Sequence, residues 1–145
     1  MAWWVQMNES GKDMIIKLNK EFYDALGEGR MDLMEKIWLN DSTVQCVHPG
    51  WPLLSGWDAV KESFQDIMNS RKIVGIVTSN VEMFSSDNVV WVSCIENINL
   101  KMNGSIETVQ AQATNIFELR GDHWVMVLHH TSAIPTPFSD PEKLQ

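Results

Sequence analysis

Hydrophobic residues recur at two spacings along this chain, and the change of spacing separates a helical part from a strand-forming part. Up to about residue 70, apolar residues are three or four positions apart, which is the period of a helix with one buried face. This pattern predicts a helix between Ser10 and Gly27, a second over about 32–39 and a third over about 57–69. Between the last two it predicts a strand over 43–48 and a short one at 53–54.

Beyond Arg71 the apolar residues alternate with polar ones, which is the period of a half-buried strand. Short turn sequences separate these runs and favour hairpins. The predicted strands cover 72–79, 81–84, 89–100, 106–119 and 124–132. Helices followed by a long antiparallel sheet define an α+β domain with its helices packed on one face of the sheet.

Length and composition indicate one globular domain. The chain has 145 residues, 44% of them hydrophobic and 21% charged, so a single core is expected. We predict an N-terminal extension over 1–9, the domain over 10–134 and a proline-containing tail over 135–145.

Charge and cysteine usage narrow the function classes. The net charge of −8 argues against nucleic acid or an anionic membrane as a partner, because both require clustered Lys and Arg. No apolar run is long enough to span a bilayer, and the start lacks the pattern of a signal peptide. Cys46 and Cys94 lie in apolar runs, so we expect both to be buried and reduced, and a cytoplasmic location.

One polar side chain is predicted to point into the core. Along 109–119, every second residue is apolar except Asn115, which shares its strand face with Phe117. A buried amide must find hydrogen-bond partners or it costs a few kcal/mol. Asn115 therefore either pins neighbouring backbone or binds a ligand.

Two stretches of sequence carry a family resemblance. One runs from Trp38 through the His48-Pro49-Gly50-Trp51 turn to Val60, and the other is the closing strand Trp124–Ser132. In these two motifs, and in the order of its helices and strands over about 13–135, the chain resembles the SnoaL-like branch of the nuclear transport factor 2-like superfamily. The resemblance implies a cone-shaped α+β barrel, with three N-terminal helices packed on a strongly bent, mostly antiparallel sheet. It also implies an internal pocket and a homodimer formed through the open sheet face.

The resemblance does not carry the steroid-isomerase chemistry of the superfamily. That chemistry needs a carboxylate base and two acids. The tyrosine acid matches Phe22 here, with Tyr23 one position away; the base falls at Cys46 or at His48; and the second acid matches Asn115. All three groups are replaced.

A histidine-centred site is the remaining catalytic hypothesis. Neutral imidazole is a competent base near pH 7, so we assign His48 as the candidate base and Asn115 as the carbonyl donor. Of the two histidines in the last strand, we expect His130 rather than His129 to face the pocket. For each of these residues a purely structural role, such as capping the turn or bonding within the core, remains an alternative.

The expected pocket is apolar and contains no metal or other cofactor. Trp and Met are abundant, and both residue types suit a ligand cavity, although a Trp-rich core is the more common explanation. His48, Cys46 and one further histidine lack a third metal ligand at suitable spacing. The expected ligand contacts are Phe22, Cys46, Trp51, Trp57 and Phe117.

The sequence thus predicts a domain that binds a small apolar molecule. If the domain is an enzyme, we expect it to act on an apolar carbonyl compound with a histidine as general base. Isomerase, cyclase and dehydratase chemistry are the reaction classes that the resemblance implies. The alternative is a non-catalytic association or dimerisation domain, which predicts a filled cone and an apolar patch on the sheet.

Overall fold

A computed structural model of the protein describes residues 9–135. The helices are α1 (Glu9–Glu28), α2 (Met31–Ile37) and α3 (Trp57–Ser70). The strands are β1 (Gln45–Val47), β2 (Leu54–Ser55), β3 (Ile73–Ser86), β4 (Val89–Met102), β5 (Ser105–Arg120) and β6 (His123–Ile134). The predicted N-terminal extension and C-terminal tail lie almost entirely outside these residues, so those boundaries stay predictions.

The strands form one mixed sheet in the order β2-β1-β6-β5-β4-β3. β1 runs parallel to β6 and every other pair is antiparallel, so the first strand lies beside the last. The predicted α+β cone with three helices on a mostly antiparallel sheet is confirmed. The sheet is open, however, and β3 is one of its edges.

β3 is one strand of 14 residues where the sequence predicts two. Its register against β4 shifts between Ser79 and Glu82, so that two residues lie opposite Cys94. One of them, Asn80, has a φ of 52°, a left-handed conformation that asparagine tolerates better than most residues. The bulge breaks the alternation of side chains without ending the strand.

α1 packs on the concave face of the sheet through one stripe of residues. Ile15, Phe22 and Leu26 lie on this stripe at helical spacing, and Asn19 is a polar member of it. At the end of the helix, a Cβ on Gly27 would lie 3.4 Å from the Cα of Gly75 in β3, so the two backbones approach closely. This contact fixes α1 along the edge strand.

Three phenylalanines fill the centre of the cone and are fully buried. Phe22 from α1 meets Phe64 from α3 edge to face, with ring centroids 5.8 Å apart, and Phe117 reaches the same core from β5. Edge-to-face pairs are a preferred aromatic arrangement. Aromatic side chains therefore close the interior between the helices and the sheet.

None of the helices within 9–135 has the length and apolar character needed to cross a membrane.

Candidate functional site

A bulge in β6 decides which histidine points inward. Ile116 pairs with Leu128, but its neighbour Phe117 pairs with Met126, so Val127 has no opposite residue. Alternation therefore changes phase at Val127, and His129 rather than His130 points into the cone.

The expectation that His130 faces the interior is wrong. The side chain of His129 is 2% exposed, whereas His130 lies on the outer face and is exposed. Strict alternation along 124–132 places His130 on the same face as the inward Met126, because it ignores the bulge.

Asn115 points inward as predicted and is the centre of a buried hydrogen-bond network. It is fully buried, and its Nδ2 donates both hydrogens, to Asn19 Oδ1 at 2.9 Å and to the Tyr23 hydroxyl at 3.0 Å. Its Oδ1 lies 2.6 Å from His129 Nδ1. Because that oxygen can only accept, His129 donates from Nδ1, and its Nε2 carries the lone pair when the ring is neutral. Every hydrogen-bonding group of the Asn115 amide is thus used within the protein.

Tyr23 brings a phenol into this network from α1. Its side chain is 2% exposed, and its hydroxyl lies 3.5 Å from Cys94 Sγ in addition to accepting from Asn115. Burial, and then the proximity of Glu96 and Cys94, raises the pKa of Tyr23 well above its ordinary value, so the hydroxyl keeps its proton.

Glu96 is a buried carboxyl group on the inner face of β4. Its side chain is 2% exposed, and Oε1 accepts from Thr131 Oγ1 at 2.9 Å. Oε2 has no hydrogen-bond partner among the described residues and lies 3.9 Å from His129 Nε2. Burial raises the pKa of Glu96, although the neighbouring hydroxyls of Tyr23 and Thr131 oppose this shift.

His48 occupies a separate position at the end of β1. The Ser63 hydroxyl donates to the Val60 carbonyl at 2.6 Å, so its oxygen accepts from His48 Nε2 at 2.8 Å. Burial lowers the pKa of His48 to about 4, and the ring is therefore neutral at pH 7. The indole of Trp51 packs edge to face on it at 5.1 Å and is itself 41% exposed.

The other predicted ligand contacts belong to the packed core. Phe22, Cys46 and Phe117 are fully buried, and Trp57 is 8% exposed. Cys46 is an unsuitable nucleophile because burial, and then the nearby Glu96, raises the pKa of its thiol. Both cysteines are free and buried, as expected.

An apolar groove runs between α1 and the edge strand β3. Its volume is about 380 Å³. It is lined from α1 by Ile16, Asn19, Lys20, Tyr23 and Asp24, from β3 by Ile76, Val77, Thr78, Val81 and Met83, and from β4 by Val92. Asn19 and Tyr23 belong to both the groove and the buried network, so the network forms the polar part of the groove floor. None of the predicted pocket residues His48, Trp51, Asn115 and His130 lines this groove.

Sequence reasoning missed Asn19, Tyr23 and Glu96. A signal was available for two of them. Asn19 interrupts the apolar stripe of α1, and Glu96 shares a strand face with Cys94 and Ile98, just as Asn115 interrupts an apolar face of β5. The spacing of apolar residues gave no such signal for Tyr23, because it lies next to Phe22 and both side chains are buried. Its only mark was its place one position from the residue that matches the tyrosine acid of the family.

No group of three or more side chains that could hold a metal ion occurs within residues 9–135. The polar atoms of Asn115 bond to Asn19, Tyr23 and His129, and Glu96 Oε2, which has no hydrogen-bond partner among these residues, lies 3.9 Å from His129 Nε2.

Comparison with known proteins agrees with this architecture. The family model for the SnoaL-like domain matches residues 15–137. A curated relative, the F-box protein SKIP8 of Arabidopsis thaliana, is 28% identical over 120 residues, which are 83% of this chain and 49% of that protein. This chain therefore spans about half the length of the curated relative that it matches.

Two crystal structures are similar throughout most of the domain. One is a provisionally assigned dehydratase of the NTF2-like family from Streptomyces avermitilis, with 26% identity, a TM-score of 0.76, and coverage of 86% of this chain and 96% of that one. The other is a provisionally assigned calcium/calmodulin-dependent protein kinase type II association domain from Thiobacillus denitrificans, with 25% identity, a TM-score of 0.70, and coverage of 81% and 93%. From the match to the family model and the shared fold, we conclude that this chain belongs to the SnoaL-like domain family of the NTF2-like superfamily.

Proposed function

We propose that this domain binds a small apolar molecule in the groove between α1 and β3, with an acceptor oxygen of the ligand bound to Tyr23. The observation that carries the proposal is that an apolar groove of about 380 Å³ ends on a buried hydrogen-bond network. Ligand sites are typically apolar cavities with a few polar groups that fix the orientation of the ligand.

The lining favours an uncharged carbonyl compound. Ile16, Val81 and Met83 offer apolar contacts, while the hydroxyl of Tyr23 has a thiol 3.5 Å away, which is only a weak acceptor for its proton. A ligand oxygen is a better acceptor than that thiol, so the hydroxyl can turn to it. In this proposal Tyr23 takes the role of carbonyl donor that the sequence suggests for Asn115, and Asn115 holds Tyr23 in place.

Binding is favoured over turnover by the position of His48. Its Nε2 is bonded to Ser63, it does not line the groove, and Trp51 covers its ring. A catalytic base must come within hydrogen-bond reach of the proton it removes. The role of His48 as a base stays a prediction, which loss of turnover in a folded His48→Ala variant would support.

The proposal can be tested with prodan, a neutral naphthyl ketone whose emission moves to the blue in apolar surroundings. We expect saturable binding to the wild-type protein. Val81→Trp fills the groove at a side chain that is 48% exposed, and should abolish the shift. Ile106→Trp is the matched control, since Ile106 is exposed at the far hairpin and does not line the groove.

Tyr23→Phe tests the polar contact separately. Loss of one hydrogen bond is worth about 1 kcal/mol, so prodan affinity should fall roughly fivefold while the groove remains. Equal binding by wild type and Val81→Trp would refute the groove as the site. Equal binding by wild type and Tyr23→Phe would refute the role of the hydroxyl.

A second candidate function is association through the outer face of the sheet. The aromatic rings of Phe84 and Trp91 stack there at 5.9 Å, beside the partly exposed Ile95, Ile116 and Leu128. A contiguous apolar patch on a sheet is a common protein interface. Together with the filled interior, this patch supports a homodimer.

Sedimentation velocity can test the dimer with a charge placed in the patch. Ile116→Lys should convert dimers to monomers, because burying an unpaired ammonium at an interface costs several kcal/mol. Met14→Lys is the control, since Met14 is exposed on α1, on the opposite side of the sheet. A wild-type protein that sediments as a monomer at all concentrations would exclude this candidate.

A further inference from the structure

Glu96 and His129 are two titratable groups buried side by side, and the binding of a ligand in the groove does not by itself require them. Each is 2% exposed, and the distance between Glu96 Oε2 and His129 Nε2 is 3.9 Å. Oε2 is one of two buried side-chain polar atoms without a partner among residues 9–135. A buried polar atom without a partner is unusual in a folded protein and needs a physical explanation.

The hydrogen-bond network determines what faces this oxygen. Both hydrogens of the Asn115 amide are donated, to Asn19 and to Tyr23, so its oxygen must accept from His129 Nδ1. A neutral His129 then presents the lone pair of Nε2 to Glu96 Oε2. Two lone pairs would face each other across 3.9 Å inside the core unless one of the two groups carries a proton there.

We propose that Glu96 carries this proton at neutral pH, so that Glu96 and His129 form a neutral acid–base pair, and that this neutral pair makes the groove select uncharged carbonyl compounds over amines. The second part rests on the proposed function. An ion pair is the alternative, but it would place two charges in the core, and the desolvation of both ions opposes it.

The surroundings of the pair contain no compensating charge. The titratable groups that face it are Tyr23 from α1, Cys46 from β1, His48 just beyond β1, and Cys94 from β4, while the neighbouring His130 points to the outer face of the sheet. Burial raises the pKa of Tyr23 and of both thiols and lowers the pKa of His48 to about 4, so all four are neutral at pH 7. A lone carboxylate here would be an unpaired buried charge.

The protonation state of Glu96 reaches the groove through two neighbours. Glu96 pairs across the sheet with Thr78, which lines the groove, and it lies close enough to Tyr23 to raise the pKa of that hydroxyl. A carboxylate behind the floor of the groove would attract a cationic amine and would accept the hydrogen bond that the Tyr23 hydroxyl can donate. A neutral carboxyl group leaves that proton to an acceptor oxygen of the ligand, and an ammonium group would find no counter-charge at the floor.

The proton can be detected directly in the protein without ligand. Infrared spectroscopy at pH 7 should show the C=O stretch of one buried protonated carboxyl, which Glu96→Gln removes. Glu82→Gln is the matched control, because Glu82 is an exposed glutamate on β3 and its loss should leave the band unchanged. Nitrogen NMR of His129 should show a neutral ring protonated at Nδ1. Absence of the band, or an imidazolium signal from His129, would overturn the proposal.

Ligand selection is tested with two probes of nearly the same shape, acetylnaphthalene and naphthylethylamine. We expect the ketone to bind at least about tenfold more tightly at pH 7, since the groove floor offers the ammonium no carboxylate and Asp24 in the lining is already paired with Lys20 at 2.6 Å. Glu96→Gln cannot ionise and serves as the reference for a neutral side chain of the same shape, so a wild-type protein that prefers the ketone at least about tenfold less than this variant would show that Glu96 is charged and overturn the proposal. Preference for the amine would overturn the selectivity.

Failure of the proposed function gives a different pattern from failure of this inference. If neither probe binds while the carboxyl band is present, the groove is not a ligand site for such compounds, and the selectivity falls with it. If the ketone binds and the band is absent, the groove stands and the protonated Glu96 is refuted. Carbon NMR of the glutamate carboxyls in the wild-type protein provides the same test without any variant.

Discussion

Folding should bury His48 in its neutral form, and this makes a measurable prediction about stability. The pKa of His48 falls from an ordinary 6.5 to about 4 in the folded protein because the ring is buried. Between these two values the unfolded chain binds the proton and the native protein does not. Stability from His48 is therefore fully present above pH 6.5 and is lost as the pH falls toward 4.

The magnitude follows from the two pKa values. At pH 5 the unfolded histidine is almost fully protonated and the native one is almost fully neutral, so the free energy of unfolding falls by about 2 kcal/mol relative to pH 7. His48→Gln removes the titration but keeps an amide nitrogen that can donate to Ser63. The difference in stability between wild type and this variant should therefore shift by about 2 kcal/mol in favour of the variant on going from pH 7 to pH 5.

Urea unfolding followed by tryptophan fluorescence measures this difference, since Trp38 and Trp57 are buried in the native state. Titrating groups far from His48 are present in both proteins, and their contributions cancel in the comparison. His129 lies 6.2 Å from His48 between ring centroids, and burial remains the main cause of its lowered pKa in both proteins. Stability curves for wild type and His48→Gln that run parallel from pH 7 to pH 5 would refute the burial of a neutral His48. If His48→Gln is much less stable than wild type at every pH, the difference in free energy of unfolding between the two proteins should still change by about 2 kcal/mol from pH 7 to pH 5.

The other predictions concern the core and its two faces. Asn115→Ala should lower the free energy of unfolding by about 3 kcal/mol, because it removes three hydrogen bonds from buried groups, and a loss below 1 kcal/mol in urea unfolding would contradict the network. His129→Ala should lower the stability of the protein, whereas His130→Ala should change it by less than about 0.5 kcal/mol. Thermal unfolding of the two variants measures this difference, and equal effects would contradict the inward position of His129 that the bulge produces. Cys46 and Cys94 should react with a thiol reagent only at the rate of unfolding, and fast modification of the native protein would show that they are accessible.

Regular alternation explains which parts of the site could be predicted. Along β5 the pattern held without a bulge from 109 to 116, and the inward direction of Asn115 follows from it. The same argument failed on β6, because one extra residue at Val127 reverses the faces beyond it. A bulge has no reliable mark in the sequence, since Val127 is an ordinary strand residue.

The apolar spacing by itself determined the helices and the strand-rich second half, since burial of one face imposes a period of about 3.6 in a helix and 2 in a strand. Two sequence motifs and the order of the elements carried the resemblance to the family. The tertiary structure alone decided the groove and the acid–base pair. Both arise where elements far apart in the chain meet: α1 crosses β3 with Gly27 against Gly75, and β4 lies across β5 from β6, which brings Glu96 to His129. Such contacts depend on register and on bulges, which local periodicity does not encode.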